Sequence, residues 1–204
     1  MAIIKHGNNA LANVTAFPSA VSTGKPVLIS TATASSSASI EFTSGIDSTY
    51  DIYYWEFIDC HPATNSTLLT FTASTDGGSS YGLSKTSTAF IAYNAESFVQ
   101  AAVGYNTSVD LAQSTSPQNL STNVSNASDG NVSGSFYLFN PSSTVFVKHY
   151  IIRSSLNNGS YAQDEHFAGY INNTSAVDAI KFSFSSGNID AGTIKMYGIS
   201  AWVL

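Results

Sequence analysis

The acid–histidine cluster Asp164-Glu165-His166 is the first place in this sequence to look for chemistry. In an extended strand, residues two apart share a face, so Asp164 and His166 point together and Glu165 points away. That presents two ligands, fewer than a zinc site takes, and its ordinary reading is a solvated loop with a charge pair on its flank. The other histidines, His6, His61 and His149, stand apart from it. A nucleophilic serine needs a positioned base, and serine is too abundant here for its spacing to mean anything; no G-x-S-x-G elbow occurs. Glycoside hydrolysis needs two carboxylates facing each other across a cleft. Glu41 and Glu56 fall in strand-like segments where they could pair across a sheet, with Asp47, Asp51 and Asp59 as further candidates, although charges on strands more commonly keep edges from aggregating. Asp76-Gly77-Gly78 resembles the start of a calcium loop without its later acidic positions. Cys60 is the single cysteine, so an internal disulfide and a multi-cysteine metal site are both excluded. The expectation is a chain that is not an enzyme and carries no metal and no cofactor.

Composition narrows the partners. Of 204 residues, 43% are hydrophobic and only 10% are charged, with a net charge of -6. A typical domain is about 25% charged, so Ser, Thr, Asn and Gly must cover this surface. The seven basic residues, Lys5, Lys25, Lys85, Lys148, Arg153, Lys181 and Lys195, are scattered, which argues against nucleic acid. No apolar run approaches the roughly 18 residues of a membrane-spanning helix, and no secretory signal opens the sequence. Sequons such as those at Asn65, Asn123 and Asn158 follow from a composition rich in Asn, Ser and Thr. Tyr53, Tyr54, Trp55, Tyr150, Tyr161, Tyr170, Tyr197 and Trp202 could floor a sugar site, although such residues more often pack a core or a sheet face.

The elements that position these residues are strands. Ser39 to Thr43 and Ala179 to Phe184 alternate apolar and polar residues, the mark of a half-buried strand. Further strands are predicted at 27–30, 52–58, 68–72, 88–93, 134–139, 144–153, 167–171 and 193–204. Asp76 to Ser80 is expected to turn a hairpin into Tyr81, and Gly192 to mark a tight corner. Residues 95–103 read as a strand or, less well, a short helix, since Val99 and Val103 are β-branched. Residues 113–133 read as a loop or exposed edge. The predicted core includes Ile40, Phe42, Leu69, Phe71, Val145, Val147, Ile180, Phe182, Phe184 and Ile194. Short strands separated by turn clusters predict an all-β, two-sheet, jelly-roll-like sandwich over residues 27–204. Residues 1–26, punctuated by Pro18 and Pro26, read as an extended N-terminal arm. Its Ile3, Ile4, Leu11, Val14 and Phe17 cannot form a core of their own and are the expected partner-binding residues.

Three stretches carry a family resemblance: Ser36 to Tyr50, Phe139-Asn140-Pro141-Ser142-Ser143-Thr144-Val145-Phe146-Val147-Lys148-His149, and Ala176 to Gly198. Together they resemble a family of virion structural proteins from tailed bacteriophages, chiefly of aquatic and cyanobacterial hosts, over most of residues 30–200. The resemblance implies a virion component made in the host cytoplasm. It implies, first, a jelly-roll decoration or cement protein that bridges capsid subunits, commonly as a homotrimer, with the major capsid protein or another virion protein as partner. The second implied role is a tail or tail-fibre module whose exposed loops, such as 113–133 or 157–166, grip a host surface glycan.

Overall fold

The computed structural model describes residues 25–97 and 99–200. Twelve strands and no helix are found among them: β1 (Val27–Thr33), β2 (Ile40–Phe42), β3 (Ile52–Pro62), β4 (Leu69–Ser74), β5 (Lys85–Ala95), β6 (Ala101–Tyr105), β7 (Gln118–Asn119), β8 (Val132–Phe139), β9 (Lys148–Asn157), β10 (Tyr161–Ile171), β11 (Ala179–Phe184) and β12 (Ile189–Ile199). The arm residues Ile3, Ile4, Leu11, Val14 and Phe17 lie outside the described residues.

The strands form two antiparallel sheets, in the orders β1-β12-β3-β8-β9-β10-β5-β6 and β2-β11-β4-β7. The pairing is nested. Strands near the start of the described chain pair with strands near its end, β1 with β12 and β2 with β11, while β3 and β4 lie inside them. This is the jelly-roll sandwich expected from the strand pattern. Two hairpins extend it: β9-β10 and β5-β6 widen the first sheet by four strands beyond β8.

Aromatic rings from both sheets meet at the centre. Phe136 stacks on Trp55 at 5.1 Å and on Phe71 at 4.5 Å, and Phe182 approaches Phe42 edge-on at 6.0 Å. Trp55, Phe71, Phe136 and Phe182 are fully buried. Gly134 is required on β8, because a Cβ there would lie 2.6 Å from the Phe57 ring. The eight predicted core residues other than Val145 and Val147 are buried.

Five expectations are corrected. Residues 144–147 are not strand, and Val145 is 67% exposed. The Ser143 hydroxyl accepts the backbone N–H groups of Val145 and Phe146 at 3.2 and 2.9 Å, a local pattern that competes with ladder pairing. β9 therefore starts at Lys148, and its inward residues are the even-numbered Lys148, Tyr150, Ile152, Ser154 and Leu156. The Lys148 ammonium is satisfied inside by the carbonyls of Phe146 and Asn173 at 3.0 and 3.1 Å. Val145→Ala should accordingly change stability by less than about 0.5 kcal/mol in a urea titration, the range of surface substitutions; a larger loss would place Val145 in the core.

The Asp76 turn joins no hairpin. β4 pairs with β11 and β7, and β5 with β10 and β6, so the turn crosses between sheets. Gly192 lies inside β12, at a bulge opposite Cys60 with φ +122, where only glycine fits the approach of the Cys60 backbone. Residues 161–166, expected in a loop, belong to β10. Within residues 113–133, the stretch 118–125 turns inward, while 115–117 and 126–129 are exposed as a loop would be. Leu120 and Val124 are buried along with Gln118, Ser121 and Thr122. The reason is geometric: a four-stranded sheet cannot cover an eight-stranded one, and this segment lies over the inner face of the extension. Its polar side chains supply the hydrogen bonds that strands would otherwise make. Tyr150 donates to Gln118 Oε1 at 2.7 Å, Ser154 to the Leu120 carbonyl at 2.6 Å, and the Leu69 N–H to Ser121 Oγ at 3.0 Å.

Candidate functional site: an outer tyrosine row and a neutral groove

The strand positions decide what the chemically suggestive residues do. Asp164 and His166 do share the outer face of β10, 3.4 Å apart, and Arg153 on β9 forks onto Asp164 at 3.0 and 3.2 Å. Those bonds hold the Asp164 carboxyl below its ordinary range. Glu41 and Glu56 do not pair. Each sits between two buried neighbours, Glu41 on β2 of the narrow sheet and Glu56 on β3 of the wide one, so they point from opposite outer faces. Asp76 is occupied by its own turn. Its carboxylate accepts the hydroxyls of Ser74 and Ser80, both at 2.6 Å, which pull its pKa down to about 2. Cys60 is buried, and burial pushes its thiol up to about 12, so it is a packing residue. Among the described residues no three His, Cys, Asp or Glu side chains gather as a metal site would require.

Two features remain as surfaces for a partner. The first is the outer face of the wide sheet. Successive registers align Leu28, Tyr197, Tyr54, Tyr137 and Ile151 in one row across five strands. Tyr54 stacks between Tyr137 at 4.6 Å and Tyr197 at 5.5 Å. Leu28 and Ile151, at the ends of the row, are 53% and 50% exposed. A parallel row one step along carries Lys195, Glu56, Ser135, Arg153, His166, Phe90 and Tyr105. Glu56 is held by the Tyr54 and Tyr197 hydroxyls at 2.6 and 3.2 Å. Tyr54 is the more affected of the two rings: burial and the Glu56 carboxylate raise its pKa.

The second feature is a groove on the inner side of the extension, between β5, β6 and β10 and the 106–124 segment. A cleft of about 460 Å³ takes in Tyr93, Gln163, Thr122 and Asn123, and continues past Tyr93 and Gln163 into a hollow of about 230 Å³ at Gln100, Asn158 and Tyr161. Behind Thr122 lies Glu165. Its carboxylate is buried and accepts the Thr122 backbone N–H at 2.8 Å as well as the Thr122 hydroxyl. Burial nevertheless raises the Glu165 pKa to about 7.

No protein-family model, curated protein or solved structure matches this chain. The two surfaces are thus read from their own chemistry. Sequence reasoning named Tyr54, Tyr197 and Tyr161 as possible ligand-floor aromatics but did not join them. The row was legible only in part: Tyr137 shares its parity with Ser133 and Ser135, whereas Tyr54 lies in a segment that is bulky on both faces. The groove was not, because it depends on the inward position of a segment whose composition is that of a loop.

Proposed function

We propose that the chain is a non-enzymatic structural protein of the exterior of a tailed-bacteriophage particle, a head decoration or cement subunit that assembles with copies of itself. The observation that supports this reading best is the outer face of the wide sheet. Tyrosine, Leu and Ile aligned over five strands form the contiguous, aromatic-rich surface that protein interfaces favour. The adjoining row carries both signs, Lys195 and Arg153 beside Glu56, with Asp164 one step further along β10. Interspersed charge of this kind complements another copy of itself better than a uniformly charged partner. A low-charge exterior of Ser, Thr and Asn suits a crowded particle surface. The sequence resemblance supplies the virion setting and the homotrimer, and in this proposal Ile3, Ile4, Leu11, Val14 and Phe17 make the contact with the coat protein. A tail or tail-fibre subunit that grips a host glycan is the second reading, favoured by the neutral groove.

Sedimentation of the purified full chain tests the assembly. A trimer is expected, and Ile151→Glu should weaken it at least about tenfold, since one charge at a buried interface position typically costs more than 1.4 kcal/mol. A chain beginning at Lys25 should still assemble and should no longer bind particles that lack the native protein. A monomer at every concentration, or an Ile151→Glu chain that assembles normally, would overturn the proposal.

A further inference from the structure

The groove on the inner side of the extension has the chemistry of a site for uncharged, hydroxyl-rich ligands. Its polar groups are side-chain amides and tyrosines. Gln100 donates to the Tyr93 hydroxyl at 3.1 Å and accepts from the Tyr161 hydroxyl at 3.3 Å, and Asn158 donates to Gln163 Oε1 at 3.3 Å. The Tyr93 and Tyr161 rings meet edge-on at 5.5 Å. Each is partly exposed, so apolar ring surface borders the hollow. An amide offers a donor and an acceptor side by side, the pattern that adjacent hydroxyls present in reverse. A tyrosine ring adds a flat apolar surface for C–H groups. Among the described lining residues none is charged. The acidic groups that adjoin the lining, Glu165 bonded to Thr122 and Asp110 bonded to Tyr105, disfavour an anion. The cleft of about 460 Å³ falls within the roughly 300–1,000 Å³ of small-ligand sites, and the hollow of about 230 Å³ adjoins it.

The two walls come from segments far apart in sequence. Thr122 and Asn123 belong to the 118–125 stretch that covers the extension, and Asn158, Tyr161 and Gln163 to the β9-β10 hairpin. Asn123 is held at φ +33, a left-handed conformation that Asn tolerates better than most residues. Strand pairing fixes the two rings and Gln163 before any ligand arrives: Tyr93 faces Gln163, and Tyr161 faces Ala95.

We propose that this groove binds a neutral oligosaccharide, with Tyr161 and Tyr93 as the ring platform and Gln163, Gln100 and Asn158 as the hydroxyl-binding groups. The site lies on the opposite side of the wide sheet from the Leu28–Ile151 row, so it does not depend on self-assembly through that row. The test is an array of neutral and anionic oligosaccharides probed with the full chain, followed by calorimetry on the neutral ones. Neutral saccharides should bind. Tyr161→Ala and Gln163→Ala should each weaken binding by about tenfold, the loss expected for a hydrogen bond or ring contact worth ~1.4 kcal/mol, with unchanged melting temperature. Gln163→Glu, which keeps size and places a charge at the groove, should weaken it as well and serves if Tyr161→Ala folds poorly. Ile151→Glu should bind saccharide normally, which separates failure of the groove from failure of the assembly. No binding to any neutral saccharide, preference for anionic ones, or binding that survives the groove variants would overturn the proposal.

Discussion

Between pH 5 and pH 8 the wild-type protein should lose about 3 kcal/mol of folding stability through one side chain, and Glu165→Gln should abolish that loss. Glu165 lies on the inner face of β10, beneath the 113–133 segment, with its carboxylate bonded to the backbone and hydroxyl of Thr122. Burial penalises the charged form more than those bonds favour it, so the carboxyl titrates near 7 when folded against 4.5 for the free side chain. Between those values the folded state holds a proton that the unfolded state has released, and stability falls as pH rises. Below about 4.5 both states are protonated and above about 7 both are ionised, so the slope is confined to that window. Asp76, lowered to about 2, titrates below the window, and Lys85, lowered by burial to about 8, acts above it. The Glu165→Gln substitution keeps the size of the side chain and an oxygen to bond Thr122, and it removes the titration. Urea titrations at pH 5 and pH 8 measure the effect. Equal wild-type stabilities at the two pH values would show that Glu165 is not ionised against a penalty.

Phe136→Ala should cost about 3–5 kcal/mol, the range for a buried ring removed from a core that cannot collapse. Phe136 is fully buried on β8 and is the ring that joins the sheets. It stacks on Trp55 of its own sheet and Phe71 of the other, and approaches Phe182 at 6.2 Å. Removing it leaves four rings, those three and Tyr150, without their common neighbour. The Trp55 indole N–H, which has no hydrogen-bond partner among the described residues, would then adjoin a void. Chemical denaturation of Phe136→Ala against wild type measures the loss. A value below about 1 kcal/mol would mean that the sheets do not meet at this point.

The strands that alternate were legible, and so was the architecture they build. Ile40 and Phe42, and Ile180, Phe182 and Phe184, face inward as their period-two pattern requires. The pairing of Asp164 with His166, and the opposite orientation of Glu165, also follow from that period. What failed was polarity as a guide to depth. Lys148 is buried because backbone carbonyls satisfy its ammonium, and Val145, an apolar neighbour, is exposed because Ser143 bends the chain away from the ladder. Gln118, Ser121 and Thr122 are buried because the wide sheet needs a cover that carries its own hydrogen-bonding groups. Hydrogen bonds between distant segments leave no local pattern, and the groove, which lies between two such segments, inherits that silence.

The nested pairing also sets when this fold can form. β12 lies in the wide sheet between β1 and β3, and Thr33 bonds Thr193 across 160 positions of chain. During synthesis, β1 and β3 emerge early and remain separated by an empty strand position until Ile189–Ile199 has left the ribosome. The narrow sheet waits in the same way, because β11 lies between β2 and β4. Contacts of such long sequence separation close slowly, and until they do the unpaired edges of both sheets are open to other chains. The β1-β12-β3 and β2-β11-β4 pairings therefore form only after nearly all of the described chain has been made. The yield of native protein should fall steeply with the concentration of nascent chains, while the finished sandwich, once β12 is seated, has its earliest described strand locked behind its latest.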